Sequence, residues 1–171
     1  MSEANDTYNW YAIRTRSRHE KLVRDRLANK GVERLLPTLS RLNQWKDRKK
    51  LVEFPLFPGY CFARFVWENR LQVLTVPGVV SIVGSSRDRA EPVSDEEIAA
   101  LTKLMDSALT YDAHPYLREG MAVQVIRGPL AGVTGMLLRK EKHYRLVISV
   151  HLIKQAAAVE IDAADVAPAG L

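Results

Sequence analysis

Phe57-Pro58-Gly59-Tyr60-Cys61-Phe62-Ala63-Arg64-Phe65 is a Pro-Gly turn that runs straight into an aromatic strand. Side chains alternate along a strand, so Tyr60, Phe62 and Arg64 go to one face and Cys61, Ala63 and Phe65 to the other. A chain with such a segment must place it in a sheet, and the flanking segments indicate what accompanies it. Residues 8–14 are rich in aromatic and branched side chains and read as a strand. Ser17 and Glu20 stand at capping-box spacing, Leu22, Val23 and Leu27 supply an apolar stripe, and Gly31 is placed to end the helix. Residues 32–36 form a short strand closed by Pro37, and 42–54 are polar and densely charged, suiting an exposed hairpin or a mobile loop. After the aromatic strand, 68–74 predict a short helix stopped by Val76-Pro77-Gly78, and 79–83 another strand. Ser94 and Glu97 repeat the capping-box spacing ahead of Ile98, Leu101 and Met105, with Asp95 and Glu96 at the positive end of that helix and Lys103 near the negative one.

The texture then changes. Asp112, His114 and Pro115 interrupt any periodicity over 109–117, and the domain boundary is placed there. Beyond it, residues 121–126, 135–139, 144–150 and 159–161 read as short strands separated by Gly-rich turns, the pattern of a small, partly closed barrel. The expected division is 1–108, a linker at 109–117, and 118–171.

Composition narrows the function classes. With 47% hydrophobic and 26% charged residues in 171, the chain has a globular profile. No run of about 18 apolar residues is present and residues 1–6 lack a signal-peptide pattern, so a cytoplasmic protein without membrane contact is expected. One cysteine, Cys61, excludes an intramolecular disulfide, and His19, His114, His143 and His151 offer no zinc spacing, so neither metal nor cofactor is expected. Residues 14–50 carry thirteen Lys/Arg against four Asp/Glu, a local net of +9 in a chain of net +5. Such a field attracts phosphates, although a solvated surface explains it equally well.

Two sets of residues resemble one family. Trp10-Tyr11, Pro55-Leu56-Phe57-Pro58-Gly59-Tyr60, Pro77-Gly78-Val79 and Pro92-Val93-Ser94-Asp95-Glu96-Glu97-Ile98 resemble, in order and spacing, the N-terminal (NGN) domain of the NusG family. Gly120, Val123, Val125-Ile126, Arg127-Gly128-Pro129-Leu130, Gly132 and Gly135 resemble a KOW motif, the turn of an SH3-like barrel. The match covers residues 8–166 or so. The resemblance implies an α+β fold: an NGN-like α/β sandwich, an antiparallel sheet with flanking helices, joined to a small KOW barrel. It also implies a monomeric transcription elongation and antitermination factor that docks on the clamp helices of the RNA polymerase β′ subunit. Arg14, Phe57, Tyr60, Phe62 and Ile82 are carried over as polymerase contacts. Each of these taken singly fits a core position as well; the cluster points to an interface.

In the family the basic surface lies near the upstream DNA fork, which makes Arg16, Arg18, Lys21 and Arg24 the implied contacts to non-template DNA or nascent RNA. The sequence lacks the His-Thr-Thr stretch that RfaH-like paralogues set against the polymerase gate loop; Arg70-Leu71-Gln72 stands there. In the barrel, His151-Leu152-Ile153-Lys154 replaces a Phe-Gly-Arg tip and Leu130 a usual phenylalanine. Leu130, Leu152 and Ile153 are therefore the implied partner-binding residues, toward Rho or a ribosomal protein. The barrel departures point to a specialised paralogue of the UpxY, LoaP and RfaH kind, and the Tyr116-Leu117-Arg118-Glu119-Gly120 junction and the Val159-Glu160-Ile161-Asp162 ending resemble the UpxY- and LoaP-like antiterminators most. A general factor coupling polymerase to Rho or the ribosome is the alternative, and an RNA- or ribosome-binding KOW module the alternative of another class. An enzyme using Cys61 as nucleophile is disfavoured, because Cys61 alternates away from Tyr60 and Phe62 toward the core.

Overall fold

The computed structural model describes residues 7–84, 90–117, 120–140 and 142–169, with only the backbone of Trp45 and Lys140. Arg118 and Glu119, at the start of the expected 118–171 domain, lie outside the described residues. In chain order the elements are β1 (Tyr8–Thr15), α1 (Glu20–Asn29), β2 (Glu33–Leu35), β3 (Thr38–Trp45), β4 (Arg48–Pro55) and β5 (Tyr60–Val66). They continue with α2 (Arg70–Leu74), β6 (Val79–Ile82), α3 (Asp95–Asp106), β7 (Tyr111–His114), β8 (Met121–Val125), β9 (Thr134–Lys140), β10 (His143–Val150), β11 (Gln155–Ile161) and β12 (Val166–Pro168). The chain divides into two compact units, the described residues of Met1–Leu36 with Pro58–Ser94, and of Pro37–Phe57 with Asp95–Leu171.

In the first unit the sheet order is β2-β5-β1-β6, with all pairs antiparallel. One face carries a core in which Val23 and Leu27 of α1 and Val73 of α2 meet Ile13, Cys61, Ala63, Phe65 and Ile82. The alternation of the aromatic strand holds, since Cys61, Ala63 and Phe65 all belong to this core and Phe62 does not. The end of α1 follows its glycine signal. Gly31 has φ +72°, its N–H donates to Ala28 O (3.0 Å), and the Val32 N–H reaches back to Leu27 O (3.0 Å). That pair of bonds is a Schellman motif, sealed by burial of Leu27 and Val32 in the same core.

The start of α1 differs from the sequence expectation. The helix begins at Glu20, its N-cap is His19, and no side-chain capping bond forms. Ser17 instead uses its carbonyl, 2.8 Å from His19 Nδ1, while Glu20 bonds a distant amide in the same unit. Leu22, expected on the apolar stripe, is exposed, because the buried positions of α1 are Glu20, Val23 and Leu27.

The second unit contains a six-stranded antiparallel sheet, β12-β8-β9-β10-β11-β7, the two-stranded β3–β4 hairpin, and α3. This α+β combination, with an SH3-like C-terminal sheet, is the class expected from the sequence. Two strands had no sequence signal. β7 lies in the segment read as a linker, where Asp112 and His114 need no buried face because the strand pairs through its backbone with β11. β12 is three residues long and closes against β8. The charged segment 42–54 is indeed a hairpin, in register from Thr38↔Pro55 to Trp45↔Arg48. Tyr111 Oη donates to Thr38 O (2.5 Å) and Arg41 pairs with Asp112 (2.6 Å), which anchors the base of the hairpin to β7.

Candidate functional site

Tyr60 opens β5 immediately after the Pro-Gly turn, and its placement depends on that turn. The Gly59 N–H donates to Glu20 Oε1 (2.9 Å), and the Gly59 carbonyl accepts from the Thr15 N–H (2.8 Å). The first turn of α1 and the end of β1 thus hold Gly59 from both sides. The second Pro-Gly turn is held by the same neighbourhood. Arg26 Nη1 donates to Pro77 O (2.7 Å), and the Arg16 N–H to Gly78 O (2.8 Å). Gly78 has φ +102°, and a Cβ there would lie 2.9 Å from a Val23 methyl, so only glycine lets the turn sit this close to the helix.

Registers across the sheet align Tyr60 of β5 with Arg14 of β1, and Arg14 with Ser81 of β6. Directly opposed residues share a sheet face, so Tyr60, Arg14 and Ser81 form one row across three strands. The adjacent row, Cys61, Ile13 and Ile82, points to the α1 side. A register shift between Arg14 and Thr15 marks a bulge beside the exposed Arg14, the kind of irregularity that re-aims a side chain. Tyr60 and Ser81 are half-buried.

The polymerase contacts implied by the resemblance therefore separate into groups. Arg14 and Tyr60 are brought together and reach solvent. Phe62 is fully buried and Ile82 is 2% exposed, on opposite faces of the sheet; Phe57, 1% exposed, belongs to the other compact unit. Ser81 had no sequence signal, because its place beside Arg14 follows from a register that local pattern does not encode.

Among the nucleic-acid residues, Arg16 and Arg18 are exposed in the turn before α1, where Arg18 adopts φ +64°. Lys21 and Arg24 follow on the helix at three-residue spacing, which sets them side by side, and Arg24 also pairs with Asp25 at 3.1 Å. At the position of the gate-loop stretch, Leu71 is 67% exposed and the Arg70 guanidinium stacks 4.9 Å over the Trp67 ring.

In the second unit, Leu130 and Ile153 are buried and Leu152 is half-buried in the 3-10 turn His151–Ile153. Nearby, Glu97 Oε1 accepts from the His151 N–H (3.4 Å) and His151 Nδ1 lies 2.8 Å from Tyr116 Oη. Burial raises the Glu97 pKa, opposed in part by the His151 amide. Lys103 Nζ donates to Ala131 O (2.8 Å) in the turn after β8.

Burial pushes the Cys61 thiol up to about 12, leaving almost no thiolate for nucleophilic chemistry near neutrality. Among the described residues no group of three or more His, Cys, Asp or Glu side chains is placed to hold a metal ion, and no helix is long and apolar enough to cross a membrane.

Residues 8–102 match the family described as "Transcription termination factor nusG". The chain is 29% identical to the transcription termination/antitermination protein NusG of Vibrio vulnificus, over 95% of its own length and 96% of that protein. It is 25% identical to the protein of that name from Helicobacter pylori J99, covering 89% and 93% respectively. Among solved structures, that of Thermotoga maritima NusG, which concerns its domain interaction, superposes with a TM-score of 0.55 at 22% identity, covering 96% of this chain and 98% of that one. The family match spans more than half of the chain, including both Pro-Gly turns and the Tyr60–Arg14–Ser81 row, and the protein belongs to the NusG family of transcription factors.

Proposed function

We propose that this protein is an elongation and antitermination factor that docks on the clamp helices of RNA polymerase through the sheet face bearing Arg14 and Tyr60. The observation that carries the reading is the Tyr60–Arg14–Ser81 row, which reaches solvent and is fixed by the Gly59 clamp. A half-buried tyrosine beside an arginine gives rigid, amphipathic contact area with a charged donor, the composition that dominates protein interfaces. Because Phe57, Phe62 and Ile82 are buried, direct contact is assigned to Arg14 and Tyr60; Phe62 and Ile82 stabilise the sheet that carries them, and Phe57 contributes to the interior of the other compact unit. On this reading the functional division is 1–108 for polymerase binding, 109–117 as connector and 118–171 as the KOW domain; the family match over 8–102 falls within the first of these, whereas the two compact units divide the chain elsewhere.

Bound in this way, the factor catalyses nothing. It favours the elongating over the paused enzyme by its difference in affinity for the two and by no more. Arg16, Arg18, Lys21 and Arg24 lie toward nucleic acid, and the region around Leu130, Leu152 and Ile153 is presented to a further factor. The test is retention of bacterial core polymerase by the immobilised protein and by a Tyr60→Ala variant of unchanged circular dichroism. Retention by the wild type and loss in the variant is the expected result. Equal retention by both removes the interface from this face.

A second reading is supported by the near full-length similarity to proteins named NusG, namely a general factor that couples polymerase to Rho or the ribosome. Titration of the labelled protein with purified Rho discriminates the two, because saturable binding favours the coupling factor and none favours the specialised antiterminator.

A further inference from the structure

The β3–β4 hairpin is used neither by the sheet cores nor by the proposed polymerase face. Each strand has eight residues, the pair forms a two-stranded sheet of its own, and a turn at Lys46-Asp47 joins them, with Lys46 at φ +39°. Its base is fixed to β7 by the Tyr111–Thr38 hydrogen bond and the Arg41–Asp112 ion pair, while residues 42–44 and 46–51 are all exposed. Four cations crowd the outer end: Lys46, Arg48, Lys49 and Lys50. None of them makes a side-chain hydrogen bond or ion pair among the described residues, and Asp47 is the one acid between them. Unpaired cations held this close repel one another, at a cost that an anionic partner removes.

Register shows how they are displayed. Gln44↔Lys49 and Leu42↔Leu51 are opposed pairs on one face, and the Asn43↔Lys50 pair and Arg48 belong to the other. Cations therefore project from both faces of the ribbon. Leu42 and Leu51 form an apolar cross-strand pair, 66% and 65% exposed, on the face that also bears Lys49.

We propose that this hairpin is a duplex-DNA-binding arm that lies in the major groove, with Lys46, Arg48, Lys49 and Lys50 on the flanking phosphates and the Leu42–Leu51 pair toward the base edges. The major groove of B-form DNA, about 12 Å wide, admits a two-stranded ribbon, and cations on both faces of such a ribbon meet phosphates on both groove walls. The four cations on phosphates make the interaction tolerant of sequence, and the leucine pair, which suits thymine methyl groups, adds at most a preference for thymine. A-form RNA is the poorer occupant because its major groove is deep and narrow. The inference does not rest on polymerase binding, and its test contains no polymerase.

The experiment is fluorescence anisotropy of a labelled DNA duplex of about 20 base pairs with the full chain, across salt from about 50 to 200 mM. The variants are Lys46→Ala/Arg48→Ala/Lys49→Ala/Lys50→Ala and the charge-preserving Lys46→Arg/Lys49→Arg/Lys50→Arg. The wild type is expected to bind at low salt. The alanine variant is expected to bind at least about tenfold more weakly, with a salt slope shallower by up to about 3.6, at about 0.9 for each phosphate no longer neutralised. The arginine variant is expected to retain wild-type binding, which separates charge from a structural effect. Absence of wild-type duplex binding at the lowest salt, an unchanged slope in the alanine variant, loss in the arginine variant, or preference for single-stranded RNA with the same residue dependence each overturns the proposal.

Discussion

A carboxylate that is only 5% exposed needs hydrogen-bond donors, and Glu20 has one in the Gly59 amide. Removing it by Glu20→Ala leaves that amide unpaired and should cost about 1–3 kcal/mol in urea denaturation, whereas Glu20→Gln keeps an acceptor and should cost less. Because the same bond positions Tyr60, the alanine variant should also weaken polymerase retention beyond its loss of stability. Cys61 gives a second check. With its thiol buried and its pKa raised, labelling at pH 8 should proceed only as fast as the first unit opens, and accelerate steeply in denaturant. Fast labelling of the native protein would contradict the burial. Glu97 sets a pH dependence. Burial raises its pKa from the ordinary value of 4.5, so its contribution to stability is present below that value and lost as pH rises through the folded-state pKa. Glu97→Gln, which keeps an acceptor for the His151 amide, should therefore flatten the decline in Tm on going from acid to neutral pH.

At the scale of elements, the barrel sheet depends on close approach of two strands. A Cβ on Gly135 would stand 2.5 Å from the Val147 carbonyl oxygen of β10, which is backbone and has little room to move. Gly135→Ala should lower stability by more than the about 1 kcal/mol typical of a point substitution, and hydrogen exchange should rise along β9 and β10. The elements also show where sequence reading succeeds. Pro-Gly turns, the alternation at 60–65 and the Gly31 helix end were legible because each depends on local backbone chemistry. The expected Ser17–Glu20 box was not realised, because Glu20 binds an amide thirty-nine residues away along the chain. β7 and β12 escaped notice because their partners, β11 and β8, supply what their own sequences lack. The candidate face was legible in part: Arg14 and Tyr60 emerged from the resemblance, whereas Ser81 and the burial of Phe57, Phe62 and Ile82 required the register and the packing.

At the scale of the whole molecule, a net charge of +5 conceals a local +9 over residues 14–50, which includes the start of α1 and the hairpin arm. Nucleic-acid binding by this protein should therefore weaken steeply with salt, while its binding to polymerase, if carried by Tyr60, should weaken less. Family membership and the pairing of exposed Arg14 with half-buried Tyr60 together support the proposal that this face engages polymerase. Truncating the buried Phe62 would test it poorly, since loss of a buried phenylalanine costs about 3–5 kcal/mol and confuses binding with unfolding. Tyr60→Ala at a half-buried position avoids that confusion. The direct measurement is retention of core RNA polymerase by the wild type and by folded Tyr60→Ala: retention by the first with loss in the second is the predicted result, and a wild type that retains no polymerase, or a variant that retains it equally, would contradict the claim.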